Sequence, residues 1–387
     1  MSWMSADSAL ILLGTKPQTL YANVSRGRIA ARPDPQDLRR SLYRQEDVER
    51  LAARQRGRRP AQAVAAETIA WGEPVLETAI STVANGHFYI RGQDVAALAK
   101  TDTLEDVAAL LWNTSCAIDF AALTSSGSSA GLIAAYRQIA ELAATQMPPI
   151  GRARSVLIKD ATLVISLVVS AITGARSGLV HDRLATQWQR PEAANSLRCA
   201  LVLLSEHELN ASTFAARVTA STGAPLAAAV LSGLAALSGP LHGTASLSMG
   251  ALVRDAQRHG VEAAVSSLLR QGRPLPCFGH RLYPDHDVRA PALLATFEVP
   301  ELFAELARTG EAMSGEKPNI DFALSALVSA YDLPDDAPLQ IFALARSVGW
   351  LAHALEQIET GALIRPRARY VGVPIPPPKP PPIGEDR

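Results

Sequence analysis

Cysteine is scarce in this 387-residue sequence, and its three copies, Cys116, Cys199 and Cys277, lie far apart. They form neither a disulfide framework nor a pair at the spacing of a zinc site. The sequence also lacks an H-E-x-x-H pattern, a G-x-S-x-G elbow and a phosphate-cradling glycine loop. These absences argue against metal-dependent, serine-dependent and nucleotide hydrolysis. We expect a reducing, cytoplasmic environment.

Charged residues (19%) and aromatic residues (5%) are few, whereas 48% of the residues are apolar, with many Ala, Leu and Val. This composition predicts a large globular core of helices packed on small side chains. Residues 161–175 are uncharged but too short to cross a membrane. Residues 218–241 are long enough but are interrupted by Ser, Thr, Gly and Pro. We expect buried helices there, no membrane partner and no signal peptide.

The net charge is zero but unevenly distributed, because residues 1–60 hold 12 Lys and Arg against 6 Asp and Glu. Capping signals at Ser5 and Thr15, and glycines at Gly14 and Gly27, predict two short helices joined by a tight turn. A basic stretch that could form a wing follows, so residues 1–58 are interpreted as a winged helix-turn-helix module and 59–65 as a linker. A solvated basic surface explains the charge equally well.

Residues 5–55 resemble the excisionase and MerR-like DNA-binding modules in TLYANVSRGRI followed by SLYRQEDVERL. The resemblance implies that helix 16–25 enters the major groove. The residues implied for the groove face are Gln18, Thr19, Tyr21 and Asn23. Those implied for phosphate contacts are Arg26, Arg28, Arg39 and Arg40. The alternative is a module retained only for protein contacts.

Polar motifs stand out in the apolar remainder of the chain, which is predicted to run helix after helix. They are SEHELNAST (205–213), GPLHG (239–243), CFGHRLYPDHDVRA (277–290), KPNIDF (317–322), ARSVGWLAHALEQ (345–357) and IRPRARYVG (364–372). Taken singly, each histidine is more often structural than catalytic. Together the motifs supply a carboxylate base, neutral imidazole donors and arginine clamps. That set suits proton abstraction next to a carbonyl group on an anionic substrate.

These motifs, with YIRGQDVAALAKTDTLEDVAALLW before them, occur in the order found in citrate synthases, and residues 66–373 resemble that family. The resemblance implies an all-α, two-domain fold and a homodimer. The implied boundaries are a large domain at 66–243 and 332–373 and a small domain at 244–331. Residues 374–387 are rich in proline, and their composition predicts an extended, disordered tail.

The resemblance also implies roles for individual residues. His242 resembles the histidine that hydrogen-bonds the thioester oxygen of acetyl-CoA, and Asp321 the base that removes a methyl proton. His280 resembles the histidine that polarises the oxaloacetate carbonyl. His207, Arg289 and Arg346 resemble residues that hold the oxaloacetate carboxylates, and Arg365 one that reaches into the partner subunit's site. The products would be citrate and CoA, and the resemblance implies that no metal or redox cofactor is needed.

The chain departs from the family pattern beside His242, where GPLHGGANE has become GPLHGTASL. Thr244, Ser246 and Leu247 replace Gly, Asn and Glu, and Pro284 stands where Lys is common. Three readings stay open. The first is a citrate synthase with a DNA-binding appendage, and the second a 2-methylcitrate synthase that uses propionyl-CoA. The third is a metabolite-sensing regulator with an inactive synthase-like body. The retained acid–base residues favour the first.

Overall fold

The computed structural model describes residues 3–13, 17–25, 29–34, 37–49, 76–123, 130–243, 245–283, 285–368 and 370–373. The chain divides into two compact units. Unit 1 comprises residues 1–77 and 366–387, and unit 2 comprises residues 78–365. The predicted linker at 59–65 and the proline-rich tail at 374–387 lie outside the described residues.

Unit 1 combines two helices with a small antiparallel sheet. The helices are α1 (Ala6–Leu13) and α2 (Pro17–Ser25), and the strands are β1 (Trp3–Met4), β2 (Ala31–Asp34) and β3 (Asp37–Arg44). The strand order is β1-β3-β2. The Ser5 hydroxyl accepts from the Ser8 N–H at 3.2 Å, as the capping signal predicts. The buried core of the unit consists of Ala9, Leu13, Leu20, Ile29, Tyr43 and Val48.

Unit 2 begins with a three-stranded antiparallel sheet where the sequence was expected to be helical. Its strands are β4 (Ser81–Ala84), β5 (His87–Ile90) and β6 (Gln93–Asp94). Asn85 and Gly86 join β4 to β5, and both have positive φ, at 52° and 77°. An Asn-Gly pair between two short apolar runs is a strong hairpin signal, because both residues tolerate that conformation. The prediction of helices alone was therefore wrong here.

The remainder of unit 2 is helical. Its α-helices are α3 (Val95–Leu98), α4 (Leu104–Leu111), α5 (Leu132–Thr145), α6 (Arg154–Thr173), α7 (Val180–Gln187), α8 (Ala194–Leu204), α9 (Ala211–Ser221), α10 (Leu226–Leu237), α11 (Ala245–His259), α12 (Val261–Arg270), α13 (Arg289–Leu294), α14 (Glu301–Ser314), α15 (Ile320–Tyr331) and α16 (Ala337–Thr360). The mostly helical fold predicted from the sequence is confirmed.

Unit 2 contains two hydrophobic cores. The larger one is built around α16, which is buried along nearly its whole length, and includes Trp112 and Trp350. The smaller one draws its buried residues from 249–326 and includes Phe303. Helix α15 contributes to both, because Leu324 packs into the larger core and Phe322 into the smaller one. The start of α15 therefore lies where the two cores meet.

Among the described residues, helix α6 is the one that is long and apolar enough to cross a membrane by length and composition. In its most apolar 18-residue window, 67% of the residues are buried inside the protein. The core helix of a globular protein has the same properties.

Candidate active site

His207 lies in the loop between α8 and α9. Asn210 caps α9, because its side-chain oxygen accepts from the Thr213 N–H at 3.0 Å. The His207 ring is buried, and its Nε2 lies 2.9 Å from the hydroxyl of Tyr283. Burial, followed by the positive charges of nearby arginines, lowers the pKa of His207 well below its usual range. The ring is therefore neutral at physiological pH.

His242 lies in a tight turn just before α11. The turn needs glycine at position 243, because a Cβ there would lie 2.4 Å from the carbonyl oxygen of Leu237. The Nε2 of His242 lies 2.8 Å from the Oγ of Ser212. Burial, followed by the charge of Arg346, lowers the pKa of the half-buried His242 to about 4. This imidazole also stays neutral at physiological pH.

Ser212 connects His242 to the helical frame. The indole N–H of Trp350 can only donate, and it donates to the Ser212 oxygen at 3.1 Å. The hydroxyl proton of Ser212 is then available to His242 Nε2 or to the side-chain oxygen of Asn210 at 2.9 Å. When it goes to Nε2, the proton of the neutral His242 ring is on Nδ1.

The protonated nitrogen of His280 follows from its backbone contact. The N–H of Leu282 donates to His280 Nδ1 at 3.2 Å, so Nδ1 is an acceptor and the proton of the neutral ring is on Nε2. Burial, followed by the charge of Arg289, lowers the pKa of His280 to about 4. The ring packs edge-on against His207, with 5.0 Å between centroids. The free Nε2–H is a neutral hydrogen-bond donor.

Arg289 is held by a bidentate ion pair. Its Nε and Nη2 donate to the two oxygens of Asp287, at 2.9 and 2.8 Å, and both residues are buried. The backbone N–H groups of Arg289 and Ile320 donate to the same carboxylate of Asp287, each at 3.1 Å. Arg289 and these hydrogen bonds hold the pKa of Asp287 below its usual range, against the effect of burial. Among the described residues, Nη1 of Arg289 has no hydrogen-bond partner.

Arg346 is a second buried guanidinium and has more free donors. Its Nε donates to the carbonyl oxygen of Leu204 at 2.8 Å, and its guanidinium carbon lies 4.7 Å from the ring centre of Phe342. Within the described part of the chain, Nη1 and Nη2 have no hydrogen-bond partner. Burial lowers the pKa of Arg346 to about 10, and the negative charge of Glu206 opposes that shift. Arg346 is thus positively charged, with two donors available to an anion.

Glu206, the countercharge of Arg346, belongs to a buried hydrogen-bond network. Its Oε1 accepts from the Ser81 hydroxyl at 3.0 Å and from His353 Nε2 at 3.1 Å. The Nη1 of Arg217 lies 3.1 Å from His353 Nδ1. Because arginine can only donate, Nδ1 is the acceptor and the Nε2–H of a neutral His353 ring donates to Glu206. The network fixes the carboxylate that neighbours the arginine.

Asp321 occupies the first turn of α15. Asn319 caps this helix, and its side-chain oxygen accepts from the backbone N–H of Asp321 at 3.0 Å. Burial raises the pKa of Asp321 to about 6, against the opposing charges of Arg289 and Arg346. No hydrogen bond to this carboxylate is made by the described residues. Asp321 is therefore ionised at neutral pH without being strongly stabilised as an anion, as a general base requires.

The fold gathers six of the seven catalytic and substrate-binding residues implied by the resemblance. Electrostatic interactions connect these six, which are His207, His242, His280, Arg289, Asp321 and Arg346. The seventh, Arg365, is exposed at the surface. No group of three or more His, Cys, Asp or Glu suited to holding a metal ion occurs among the described residues.

The substituted loop beside His242 is only partly described. Thr244 and Pro284, and the side chain of Ser246, lie outside the described residues. Leu247, at the start of α11, is 67% exposed.

The residues of unit 1 implied to contact DNA differ in their exposure to solvent. Thr19 and Tyr21 are exposed on α2. Asn23, expected on the groove face, is instead buried, and its amide donates to the carbonyl oxygen of Thr19 at 2.9 Å. It cannot reach a base from there, because it lies on the same helix face as buried Leu20. Two of the implied residues, Arg26 and Arg28, lie outside the described residues. The same holds for the side chains of Gln18, Arg39 and Arg40.

Comparison with known proteins connects this geometry to a family. The family model described as "Citrate synthase, C-terminal domain" matches residues 169–367, just over half of the chain. The chain belongs to the citrate synthase family. All six clustered residues fall within the matched range.

Individual members of the citrate synthase family match over part of their length. The citrate synthase of Haloferax volcanii is 39% identical over 191 residues, which are 46% of this chain and 50% of that protein. The 2-methylcitrate synthase 1 of Corynebacterium glutamicum is 35% identical over 185 residues, 45% of this chain and 48% of that protein. The chain thus spans about half the length of these curated relatives.

The crystal structure of citrate synthase from Thermotoga maritima superposes with a TM-score of 0.64 at 26% sequence identity. The match covers 78% of this chain and 94% of the other. The chain therefore has the fold of citrate synthases.

Several site residues were not identified from the sequence, although they lie inside the quoted motifs. Tyr283 contacts His207, Ser212 contacts His242, and the pair Glu206 and His353 neighbours Arg346. Each lies within a few residues of an identified residue or, for His353, two turns further along the same helix. Spacing on α16 could have indicated His353, because residues seven apart share a helix face.

Proposed function

We propose that unit 2 catalyses a citrate synthase-type condensation of acetyl-CoA with oxaloacetate. The observation that carries the proposal is the placement of Asp321, with a pKa raised to about 6, among neutral histidines and buried arginines. A weakly stabilised carboxylate beside preorganised neutral donors suits the formation of an enolate at neutral pH.

In the first step, the carboxylate of Asp321 takes a proton from the methyl group of acetyl-CoA. His242 donates a hydrogen bond through Nδ1–H to the thioester oxygen, where negative charge develops as the enol or enolate forms. This role requires the Ser212 hydroxyl to donate to His242 Nε2, one of the two orientations available to it. The imidazole is neutral before the step, so the proton that it shares is a hydrogen-bond donor and not a full charge.

In the second step, the enolate carbon attacks the carbonyl carbon of oxaloacetate. The Nε2–H of His280 donates to the carbonyl oxygen that becomes the alkoxide. Arg346 binds a carboxylate through its two free Nη donors, Arg289 offers Nη1, and His207 completes the anion site. The alkoxide takes up a proton to give citryl-CoA, balanced by the proton that Asp321 gives up again. Water then hydrolyses the thioester, which gives citrate, CoA and a proton.

The arrangement of cores suggests how the site closes. We infer a large domain at 66–243 and 332–373 and a small domain at 244–331, with closure between them excluding water from the enolate. The smaller hydrophobic core, which draws on residues 249–326, supports this division.

We also infer a homodimer in which Arg365 reaches the partner subunit's site. Exposed apolar side chains that a second subunit would cover support it, including Ile133 at 77%, Ile150 at 74% and Met147 at 69% exposure.

Thiol release from acetyl-CoA, measured with and without oxaloacetate, tests the proposal. Asp321→Asn should abolish both thiol release and oxaloacetate-dependent exchange of methyl protons, while oxaloacetate still binds. Asp335→Asn is a matched control, because Asp335 is exposed near the start of α16. Loss of oxaloacetate binding in Asp321→Asn would instead assign this aspartate a structural role.

A second candidate is the condensation of propionyl-CoA, which gives 2-methylcitrate. The similarity to a 2-methylcitrate synthase and the changed loop at 244–247 favour testing it. Propionyl-CoA in the same assay separates the two, since the preferred donor has the higher kcat/KM. The comparisons give no indication of a regulator that lacks turnover.

For unit 1 we propose DNA binding. Two consecutive helices, an antiparallel hairpin after them and the exposed Thr19 and Tyr21 on α2 support it. If the four arginines assigned to phosphates all bind, log affinity should fall with log salt at a slope of about −3 to −4. Replacing Arg39 and Arg40 by Ala should remove about two from that slope. Binding that is absent or insensitive to salt would contradict the proposal.

A further inference from the structure

Tyr283 is a buried phenol that contacts both His207 and His280. Its hydroxyl lies 2.9 Å from His207 Nε2, and its ring centre lies 5.1 Å from that of His280. The guanidinium carbon of Arg289 lies 5.7 Å from the Tyr283 ring centre. Tyr283 is thus surrounded by groups that the proposed function uses, although it has no role in it so far.

The hydrogen-bonding capacity of Tyr283 limits how it interacts with His207. The phenol has one proton, and burial, the largest influence, raises its pKa, so that proton is retained at physiological pH. Among the described residues, His207 Nε2 is the one hydrogen-bond partner of the hydroxyl. A hydroxyl that accepted from Nε2–H would leave its own buried proton without an acceptor, which is unfavourable. Donation from the hydroxyl to Nε2 avoids this.

Donation has a consequence for the opposite side of the imidazole. When Nε2 of a neutral histidine accepts a hydrogen bond, the single ring proton is on Nδ1. Nδ1 of His207 has no hydrogen-bond partner among the described residues and is free to bind a ligand. The oxygens of a carboxylate can only accept, so a histidine that binds them must present an N–H group. The reverse tautomer would present a lone pair to the anion and repel it.

We propose that Tyr283 is a positioning residue for oxaloacetate, whose hydroxyl holds His207 in the Nδ1–H tautomer that donates to a substrate carboxylate. The inference rests on the proposed function for its ligand. The backbone supports it, because the N–H of Tyr283 donates to the carbonyl oxygen of His280 at 3.1 Å. One short turn therefore carries His280 and also Tyr283, the residue that sets the tautomer of His207.

Tyr283→Phe tests the inference with minimal change, because it removes only the hydroxyl. We expect the KM for oxaloacetate to rise about threefold to tenfold, the effect of one lost neutral hydrogen bond. The kcat and the KM for acetyl-CoA should stay within about twofold, since the interaction serves binding of one substrate. Tyr136→Phe is the matched control, as it deletes a hydroxyl that donates to the Leu234 carbonyl oxygen away from the site. It should leave all three constants unchanged.

The tautomer itself can be observed without turnover. In ligand-free protein labelled with ¹⁵N-histidine, the two ring nitrogens differ strongly in chemical shift when one is protonated, and His207→Gln assigns the His207 signals. We expect Nδ1–H in the wild-type protein and a mixture of tautomers in Tyr283→Phe. An Nε2–H tautomer in the wild-type protein would overturn the inference, as would an unchanged tautomer in the variant. Tighter oxaloacetate binding by the variant would also overturn it, because the hydroxyl would then compete with the ligand. A wild-type protein that shows the Nδ1–H tautomer but neither binds oxaloacetate nor releases thiol refutes the proposed function alone.

Discussion

The ionisation of Asp321 should set the acid limit of activity. Its pKa is raised to about 6, mainly because burial disfavours the charged form, and a general base works only when it is deprotonated. With that value, about 90% of the enzyme carries the active carboxylate at pH 7 and about 10% at pH 5. The rate of thiol release with both substrates well below their KM values, which reports the ligand-free enzyme, should therefore be about tenfold lower at pH 5 than at pH 7.

The two catalytic histidine candidates do not titrate in the same pH range as Asp321. His242 and His280 have pKa values of about 4, so both stay neutral while Asp321 is titrated. Protonation acts in one direction only: activity is full above the pKa of Asp321 and is lost as the pH falls through it. An ordinary, solvated aspartate would instead give half-maximal activity near pH 4.

The measurement is initial thiol release between pH 4.5 and 8, with a direct thiol assay that does not depend on pH. Circular dichroism at each pH identifies the range over which the protein stays folded, and only that range is fitted. Half-maximal activity near pH 6 agrees with the reasoning. A profile that stays flat down to pH 4.5 would refute it, because the base would then be a solvated carboxylate or another group.

Three substitutions test the residues that hold the site in place. Gly349→Ala places a Cβ 2.4 Å from both Glu206 Oε2 and the Ser205 carbonyl oxygen. We expect it to lower the free energy of unfolding by about 1–3 kcal/mol in denaturant unfolding, and an unchanged midpoint would contradict this packing. Ser212→Ala removes the hydroxyl that holds His242, and it should lower kcat about tenfold or more in steady-state assays with little change in the KM for oxaloacetate. Arg346→Lys removes the paired Nη donors and should raise that KM about tenfold to a hundredfold, whereas an unchanged KM would show that the carboxylate binds elsewhere.

The sequence predicted which segments form helices, and which residues lie together in the candidate site, better than it predicted which way their side chains face. Capping residues and apolar periodicity are local signals, so α1 and α2 begin and end close to where they were expected. The Asn85–Gly86 hairpin was equally local and was missed because the surrounding sequence reads as helical. Asn23 was expected on the groove face, but the rotation of α2 about its axis buries it, and its i, i+3 spacing from Leu20 could have indicated this. Which nitrogen of each histidine is free depends on partners up to 138 residues away, such as Trp350 for Ser212, and no local pattern reports that.

The two buried arginines show what the structure adds to the resemblance, which assigns both to the same task. Arg289 donates Nε–H and Nη2–H to Asp287, so only Nη1 remains for a ligand. Arg346 donates only Nε–H, to a backbone carbonyl, and keeps both Nη groups for a planar, bidentate contact with a carboxylate. Burial is the main reason why the pKa of His280 and of His242 is lowered, and the charge of Arg289 adds to it for His280 and that of Arg346 for His242. The proposed binding of carboxylates and part of the pKa shift of the two imidazoles thus depend on the same two charges. A neutral substitution at either arginine that weakens oxaloacetate binding should therefore also raise the pKa of the histidine beside it.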